Sequence, residues 1–238
     1  MSKLLLLSNS TMPGTPFFAW PKSYIMQFLA GIEGKGLFIP FAAVTFSFDE
    51  YERIVKQAFS EMGFELSSFH QLKDKQRAIE EASFIAVGGG NSFALLSRMY
   101  EFNLLELVRK KVEDGTPYLG WSAGANLSCP TIKTTNDMPI VQPVSLDALN
   151  LVPFQINPHY HELKFEGQGG ETRKDRLNEF LVLNPDKCVI GLPEGMLLER
   201  QDDKLTLKGN GEAKIYQANK VMQTIKAEAD VSFLLAKG

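Results

Sequence analysis

Residues 83–91 read Ser-Phe-Ile-Ala-Val-Gly-Gly-Gly-Asn, a short, largely apolar run halted by three glycines. A run of this length is too short for a helix. It also lacks the in–out alternation of a strand with one wet face, so it reads as a strand buried on both sides. Four runs upstream and downstream are of the same kind: 4–7 (four leucines), 36–41 (Gly-Leu-Phe-Ile-Pro-Phe), 64–69 and 116–121. Between them lie stretches with helical spacing at 23–31, 49–62, 74–82, 93–100 and 104–114. The second is the clearest, with Tyr51, Ile54, Val55, Ala58 and Phe59 on one face and Asp49 near the N-cap position. A β-α-β-α order built from such strands predicts an α/β fold, a mostly parallel, doubly wound sheet with helices on both faces.

Beyond residue 130 the pattern is less regular. A strand is expected at 151–156, a helix at 172–182 and a buried strand at 188–192. From Gly195 onward, short alternating segments broken by Gly209-Asn210-Gly211 predict antiparallel C-terminal strands. No linker, repeat or low-complexity segment interrupts the chain, so residues 1–238 are expected to form a single domain.

Composition narrows the class. With 25 basic and 28 acidic residues the formal charge is −3, so no global field recruits nucleic acid, and a preference for an acidic ligand must come from a local cation. The only cysteines, Cys129 and Cys188, make neither a metal-ligand cluster nor a secreted disulfide framework. The apolar run near the N-terminus is four leucines long, whereas a secretory leader needs roughly 7–15 apolar residues. No stretch approaches the roughly 18–20 apolar residues of a membrane span. A cytoplasmic protein without cofactor, monomeric or a small homo-oligomer, is the expectation.

In open α/β sheets ligands bind beyond the carboxyl ends of the strands. Two motifs fall there. Gly120-Trp121-Ser122-Ala123-Gly124 is a G-x-S-x-G pattern placed after a strand, where a strained elbow would expose Ser122 as a nucleophile and aim the Ala123 N–H at an oxyanion. Gly88-Gly89-Gly90-Asn91 lacks the spacing of a dinucleotide or P-loop motif. It reads as a loop that holds an anion such as phosphate, as a plain tight turn, or as a loop that points the Gly89 or Gly90 N–H into the crevice, with Asn91 adding a side-chain contact. If the strands before these motifs are neighbours, both face one crevice.

A serine needs a base. Of the three histidines, His70 reads as a surface or loop residue, and His159, behind Pro158 at the end of an expected strand, is the better candidate. An imidazole can serve as a general base at neutral pH. His159 and His161, with Glu162, could instead hold a metal, but Glu162 is not a clear third ligand. Two carboxylates could orient the imidazole: Glu194, in Gly-Leu-Pro-Glu-Gly at the end of a buried strand, and Asp137, in a polar loop after the elbow. Arg173, in Gly-Gly-Glu-Thr-Arg at a helix start, is placed for bidentate carboxylate recognition or, more blandly, is a solvated arginine beside Lys174 and Arg176.

Together these blocks, with Leu6-Leu7-Ser8-Asn9-Ser10-Thr11, Ile39-Pro40-Phe41-Ala42, Thr134-Thr135-Asn136-Asp137-Met138-Pro139 and Gln155-Ile156-Asn157-Pro158-His159, resemble the peptidase E family of bacterial α-aspartyl dipeptidases, serine peptidases related to cyanophycinase. The resemblance spans nearly the whole chain. It implies a three-layer αβα sandwich like that of class I glutamine amidotransferases, with serine in place of cysteine. It also implies hydrolysis of dipeptides with an N-terminal aspartate. Ser122 matches the family's nucleophile and His159 its base. Glu194 and Asp137 both match positions proposed for the third member, and Glu194 is favoured because it follows a core strand. Arg173 matches a residue expected to bind the aspartyl carboxylate. The chain departs from the family between His159 and Gly170, where an additional histidine, His161, bears on the substrate lid.

Overall fold

A computed structural model describes residues 2–163 and 169–236. The large sheet has seven strands. Five are parallel: β1 (Lys3–Leu7), β2 (Lys35–Ile39), β3 (Glu65–Ser68), β4 (Ile85–Val87) and β5 (Tyr118–Trp121). Two antiparallel strands, β8 (Met196–Gln201) and β9 (Lys204–Gly209), extend it beside β1, giving the order β3-β2-β4-β5-β1-β8-β9.

The four leucines of β1 show why these runs are continuous. All four are fully buried, but Leu5 and Leu7 pack on one face and Leu4 and Leu6 on the other. The first face is covered by α1 (Lys22–Phe28) and α2 (Phe48–Ser60), through Ile25, Phe28, Tyr51, Val55 and Phe59. The second is covered by α3 (Lys75–Glu80), α4 (Ser92–Glu101), α5 (Leu104–Glu113) and α6 (Ala123–Leu127). A strand clothed on both faces has no position where a polar side chain reaches water.

The winding reverses once. From β1 the chain travels outward to β2 and β3 over the α1–α2 face, then returns through β4 and β5 over the opposite face. Neighbours β1 and β5 therefore send their following segments to opposite sides of the sheet. Their carboxyl ends open the crevice that such folds use for ligands.

A second sheet of four strands, in the order β11-β10-β7-β6, comprises β6 (Gln155–Pro158), β7 (Cys188–Leu192), β10 (Glu212–Gln217) and β11 (Gln223–Lys226). β6 and β7 are parallel and are joined through α7 (Arg173–Leu183); β10 and β11 pair antiparallel. The expected strand at 151–156 begins only at Gln155. Leu151 and Val152 are buried, but their N–H groups bond to the Ser128 carbonyl rather than to a strand. Apolar burial alone does not distinguish those two arrangements. Among the described residues no helix is long and apolar enough to cross a membrane.

Candidate active site

Ser122 stands between the last residue of β5 and the first of α6, with φ 53° and ψ −112°. A non-glycine residue there stores roughly 1–3 kcal/mol of strain and persists only if its surroundings impose it. They do: the Ser122 N–H donates to the Leu7 carbonyl at 3.0 Å, and its carbonyl accepts the Asn126 N–H at 3.0 Å. The flanking glycines are required by close approach. A Cβ on Gly120 would collide with the Gly124 carbonyl, and a Cβ on Gly124 with the Val87 carbonyl. Gly124→Ala is therefore expected to cost about 1–3 kcal/mol of stability, read as a lower Tm. An unchanged Tm would mean that α6 can lift off β4 freely.

The histidine arrives from the other sheet. β6 and β7 run parallel with Pro158 opposite Leu192, so the residues that follow these strands emerge side by side. His159 has φ 53°, which turns it back toward β5. Its Nε2 lies 2.8 Å from Ser122 Oγ, and its Nδ1 lies 2.7 Å from Glu194 Oε1. The side chains of His159 and Glu194 are 38% and 42% exposed. An ion pair so open to water adds only about 0–1 kcal/mol to stability, so what the contact contributes is orientation of the ring.

Ser8, fully buried at the end of β1, ties the two sheets together at this point. Its hydroxyl donates to the Leu192 carbonyl and accepts the His159 N–H, each at 2.8 Å. Asn9 beside it accepts the Gly195 N–H through Oδ1 at 2.9 Å, holding the turn that carries Glu194. Sequence reasoning assigned neither residue a role. A polar pair immediately after a wholly apolar strand was the available signal.

β4 and β5 are neighbours, with Val87 opposite Gly120, so the glycine loop and the elbow face the same crevice. The Gly88 N–H is taken by the Ile39 carbonyl and the Asn91 N–H by the Ala42 carbonyl. Among the described residues the Gly89 and Gly90 N–H groups have no acceptor. Gly90 has φ 135°, and a Cβ on Gly89 would lie 2.9 Å from that of Ser122. Ala123, whose N–H is the other expected oxyanion donor, is the first residue of α6. Asn91 is largely committed to the fold. As the N-cap of α4 its Oδ1 accepts the Ala94 N–H at 3.0 Å, and its Nδ2 donates to the Met138 carbonyl at 2.9 Å.

Asp137 does not touch His159. Its Oδ2 accepts the Ser92 N–H at 2.7 Å and the Thr135 hydroxyl at 3.0 Å, at the start of α4. Its charge acts instead on Arg173, the first residue of α7. That helix starts with a capping box in which Thr172 and Asp175 satisfy each other's backbone N–H. Burial lowers the Arg173 guanidinium from its ordinary range, nearby Arg176 lowers it further, and Asp137 opposes both. Among the described residues Arg173 makes no ion pair at contact distance.

Of the other histidines, His161 is exposed, and Glu162 pairs with Lys214 at 3.5 Å. His70 follows β3 with its ring bonded to Ser68 Oγ at 2.8 Å and Asp49 at 2.9 Å. Asp49, Glu52 and His70 are the one group among the described residues whose side chains converge as three metal ligands would, and they lie outside the crevice. Of the segment 160–167, expected from the sequence to bear on a substrate lid, residues 164–167 lie, with Gln168, outside the described residues.

Comparison with known proteins finds relatives along nearly the whole chain. Peptidase family S51 matches residues 4–208. A peptidase E of Nostoc sp. is 45% identical over 238 residues, covering 100% of this chain and 98% of its own. The peptidase E of Haemophilus influenzae is 47% identical over 203 residues, 85% of this chain and 93% of its own. Two solved structures share the fold: a peptidase from an acI-B1 Actinobacterium (TM-score 0.70, 19% identity, 98% of this chain and 97% of that one) and a Listeria monocytogenes protein (TM-score 0.66, 23% identity, 88% and 98%). A serine at a strained strand–helix elbow, a match over most of the chain and relatives this similar along nearly their whole length lead to one assignment: this chain belongs to peptidase family S51 and is a serine-type peptidase.

Proposed function

We propose that this chain hydrolyses dipeptides with an N-terminal aspartate through an acyl-enzyme, with Ser122 as nucleophile, His159 as base and Glu194 as the group that orients it. His159 Nε2 accepts the Ser122 Oγ proton as Oγ bonds to the aspartyl carbonyl carbon. The oxyanion is held by the Ala123 N–H and an N–H of the glycine loop. The imidazolium then gives its proton to the departing amine as the C–N bond breaks. Water, deprotonated by the same imidazole, cleaves the ester and returns the proton to Ser122.

The observation that carries the reading is the continuous contact from Ser122 Oγ through the His159 ring to Glu194, at 2.8 and 2.7 Å. Substrate choice rests on Arg173. A half-buried guanidinium with no carboxylate in contact among the described residues suits an aspartyl side chain, and a neutral residue would leave it unpaired. Sites with buried polar groups discriminate in this way. The second lone pair of Asn91 Oδ1 is assigned to the substrate's α-amine.

The test is a comparison of Asp-Leu, Ala-Leu and β-Asp-Arg on the wild-type protein and on Arg173→Ala. The wild type should strongly prefer Asp-Leu. The variant should lose about 100-fold in kcat/KM for Asp-Leu with little change for Ala-Leu. Parallel losses on both peptides would make Arg173 structural, and a preference for β-Asp-Arg would replace the α-aspartyl assignment with a cyanophycinase-like one.

A further inference from the structure

The glycine loop offers two N–H groups, and a buried relay distinguishes between them. Tyr51, on α2, is 5% exposed. Its hydroxyl accepts the indole N–H of Trp121 at 2.9 Å and donates to the Gly89 carbonyl at 3.1 Å. Trp121 is the residue immediately before the nucleophile. The relay therefore joins the elbow to the loop opposite it, through a ring that neither strand contributes. The ring itself is held edge-on by Phe38 and Phe46, each with its centroid 5.1 Å away, while Trp121 stacks on Phe38. Burial raises the Tyr51 phenol far above its ordinary range, so the hydroxyl stays protonated and able to donate.

The consequence lies in the peptide plane. The Gly89 carbonyl and the Gly90 N–H belong to one peptide unit, and no peptide bond among the described residues is cis. In a trans unit the two groups point in opposite directions. Tyr51 belongs to the α1–α2 face of the sheet, together with Leu5, Leu7 and Trp121. Ala123 belongs to the other face, with α4 and α6. A carbonyl drawn toward Tyr51 thus sends the Gly90 N–H away from the α1–α2 face, toward the side of the sheet on which α6, opened by Ala123, packs.

We infer that Tyr51 is a positioning residue, which locks the Gly89–Gly90 peptide so that the Gly90 N–H, rather than that of Gly89, is the second oxyanion donor. The inference rests on the serine-peptidase reading of this site. It concerns a residue that touches neither substrate nor triad, and it ties the tryptophan of the elbow to catalysis.

Tyr51→Phe keeps the ring and removes the hydroxyl. Losing one such donor outright costs about 100- to 1000-fold in kcat. A donor left in place but free to rotate should cost about 10- to 100-fold, with KM for Asp-Leu nearly unchanged and the pH profile retaining its shape. An aspartyl boronate, whose adduct with Ser122 carries an anionic oxygen, should lose affinity by the same factor, whereas a merely structural role would lower Tm without that matched loss. Trp121→Phe should shift both quantities in the same direction by less.

In wild-type protein labelled with 15N-glycine, the boronate should move the Gly90 amide proton downfield and leave that of Gly89 nearly in place. This measurement holds even if Tyr51→Phe does not fold. Wild-type kcat in Tyr51→Phe, unchanged boronate affinity in a slowed variant, or a shifted Gly89 amide would each overturn the inference with the peptidase assignment intact. A wild-type protein that neither cleaves Asp-Leu nor binds the boronate would remove the aspartyl dipeptidase reading and this inference together.

Discussion

Ser122→Ala is expected to lower kcat for Asp-Leu by about 10⁵- to 10⁶-fold, the range seen when a triad nucleophile is removed from a serine peptidase. The fold should survive. The residue's backbone is held by the Leu7 carbonyl and the Asn126 N–H, and neither bond involves Oγ. Alanine keeps the Cβ that the glycine loop packs against. Among the described residues the only side-chain bond lost is the one to His159 Nε2, which is partly open to solvent and can be replaced by water. Far-ultraviolet circular dichroism and Tm should therefore match the wild type within a few degrees while turnover vanishes. A folded variant retaining more than about a thousandth of the activity would remove Ser122 as nucleophile.

Glu194→Gln against Asp137→Asn should give the second-largest effect and separate the two carboxylates. Glu194 contacts His159 Nδ1 at 2.7 Å. A carboxylate there accepts the Nδ1–H, which leaves Nε2 free to take the serine proton. An amide can instead donate to Nδ1 and stabilise the wrong tautomer, a change that costs up to about 10⁴-fold in kcat where the acid is buried. Because Glu194 is half exposed, a fall of about 10²- to 10⁴-fold is expected, with KM little altered. Asp137→Asn removes a charged acceptor from the Ser92 N–H and the Thr135 hydroxyl, so its main result should be a stability loss of about 1–2 kcal/mol. A modest rise in KM should accompany it, because its charge also reaches Arg173. Measuring kcat, KM and Tm for both variants decides the matter. A larger kcat loss in Asp137→Asn than in Glu194→Gln would reverse the assignment.

The interplay of Arg173 and Asp137 also explains a placement that is unfavourable on its face. A cation in the first turn of a helix is opposed by the backbone dipole. Thr172 and Asp175 cap that turn, and Asp137 supplies a second compensating charge from outside the helix. In the proposed function Asp137 steadies the cation that reads the substrate, while Glu194 stands behind the base.

Much of this was legible in the residues themselves. Burial on two faces writes continuous apolar runs, so the five parallel strands and their helices could be read along the chain. A strained strand–helix elbow admits only small neighbours, so Gly120, Ala123 and Gly124 marked Ser122. A shortage of histidines made His159 easy to find. These are local constraints, each imposed within a few residues by backbone sterics or by periodicity.

What the tertiary structure alone decided depends on contacts between distant parts of the chain. The parallel pairing of β6 with β7 delivers Glu194 to a histidine 35 residues earlier, a contact that its place after a core strand suggested but could not specify. Ser8 joins the sheets across separations of 151 and 184 residues. Tyr51 read as one apolar position among five on a helix face, and its hydroxyl acquires meaning only where α2 sets it between Trp121 and Gly89. Sequence determined which groups could do the chemistry, because their types and local geometry are set by neighbouring residues. The fold selected which of them meet, because a hydrogen bond of about 3 Å between distant segments is specified by packing, for which a single chain carries no local signature.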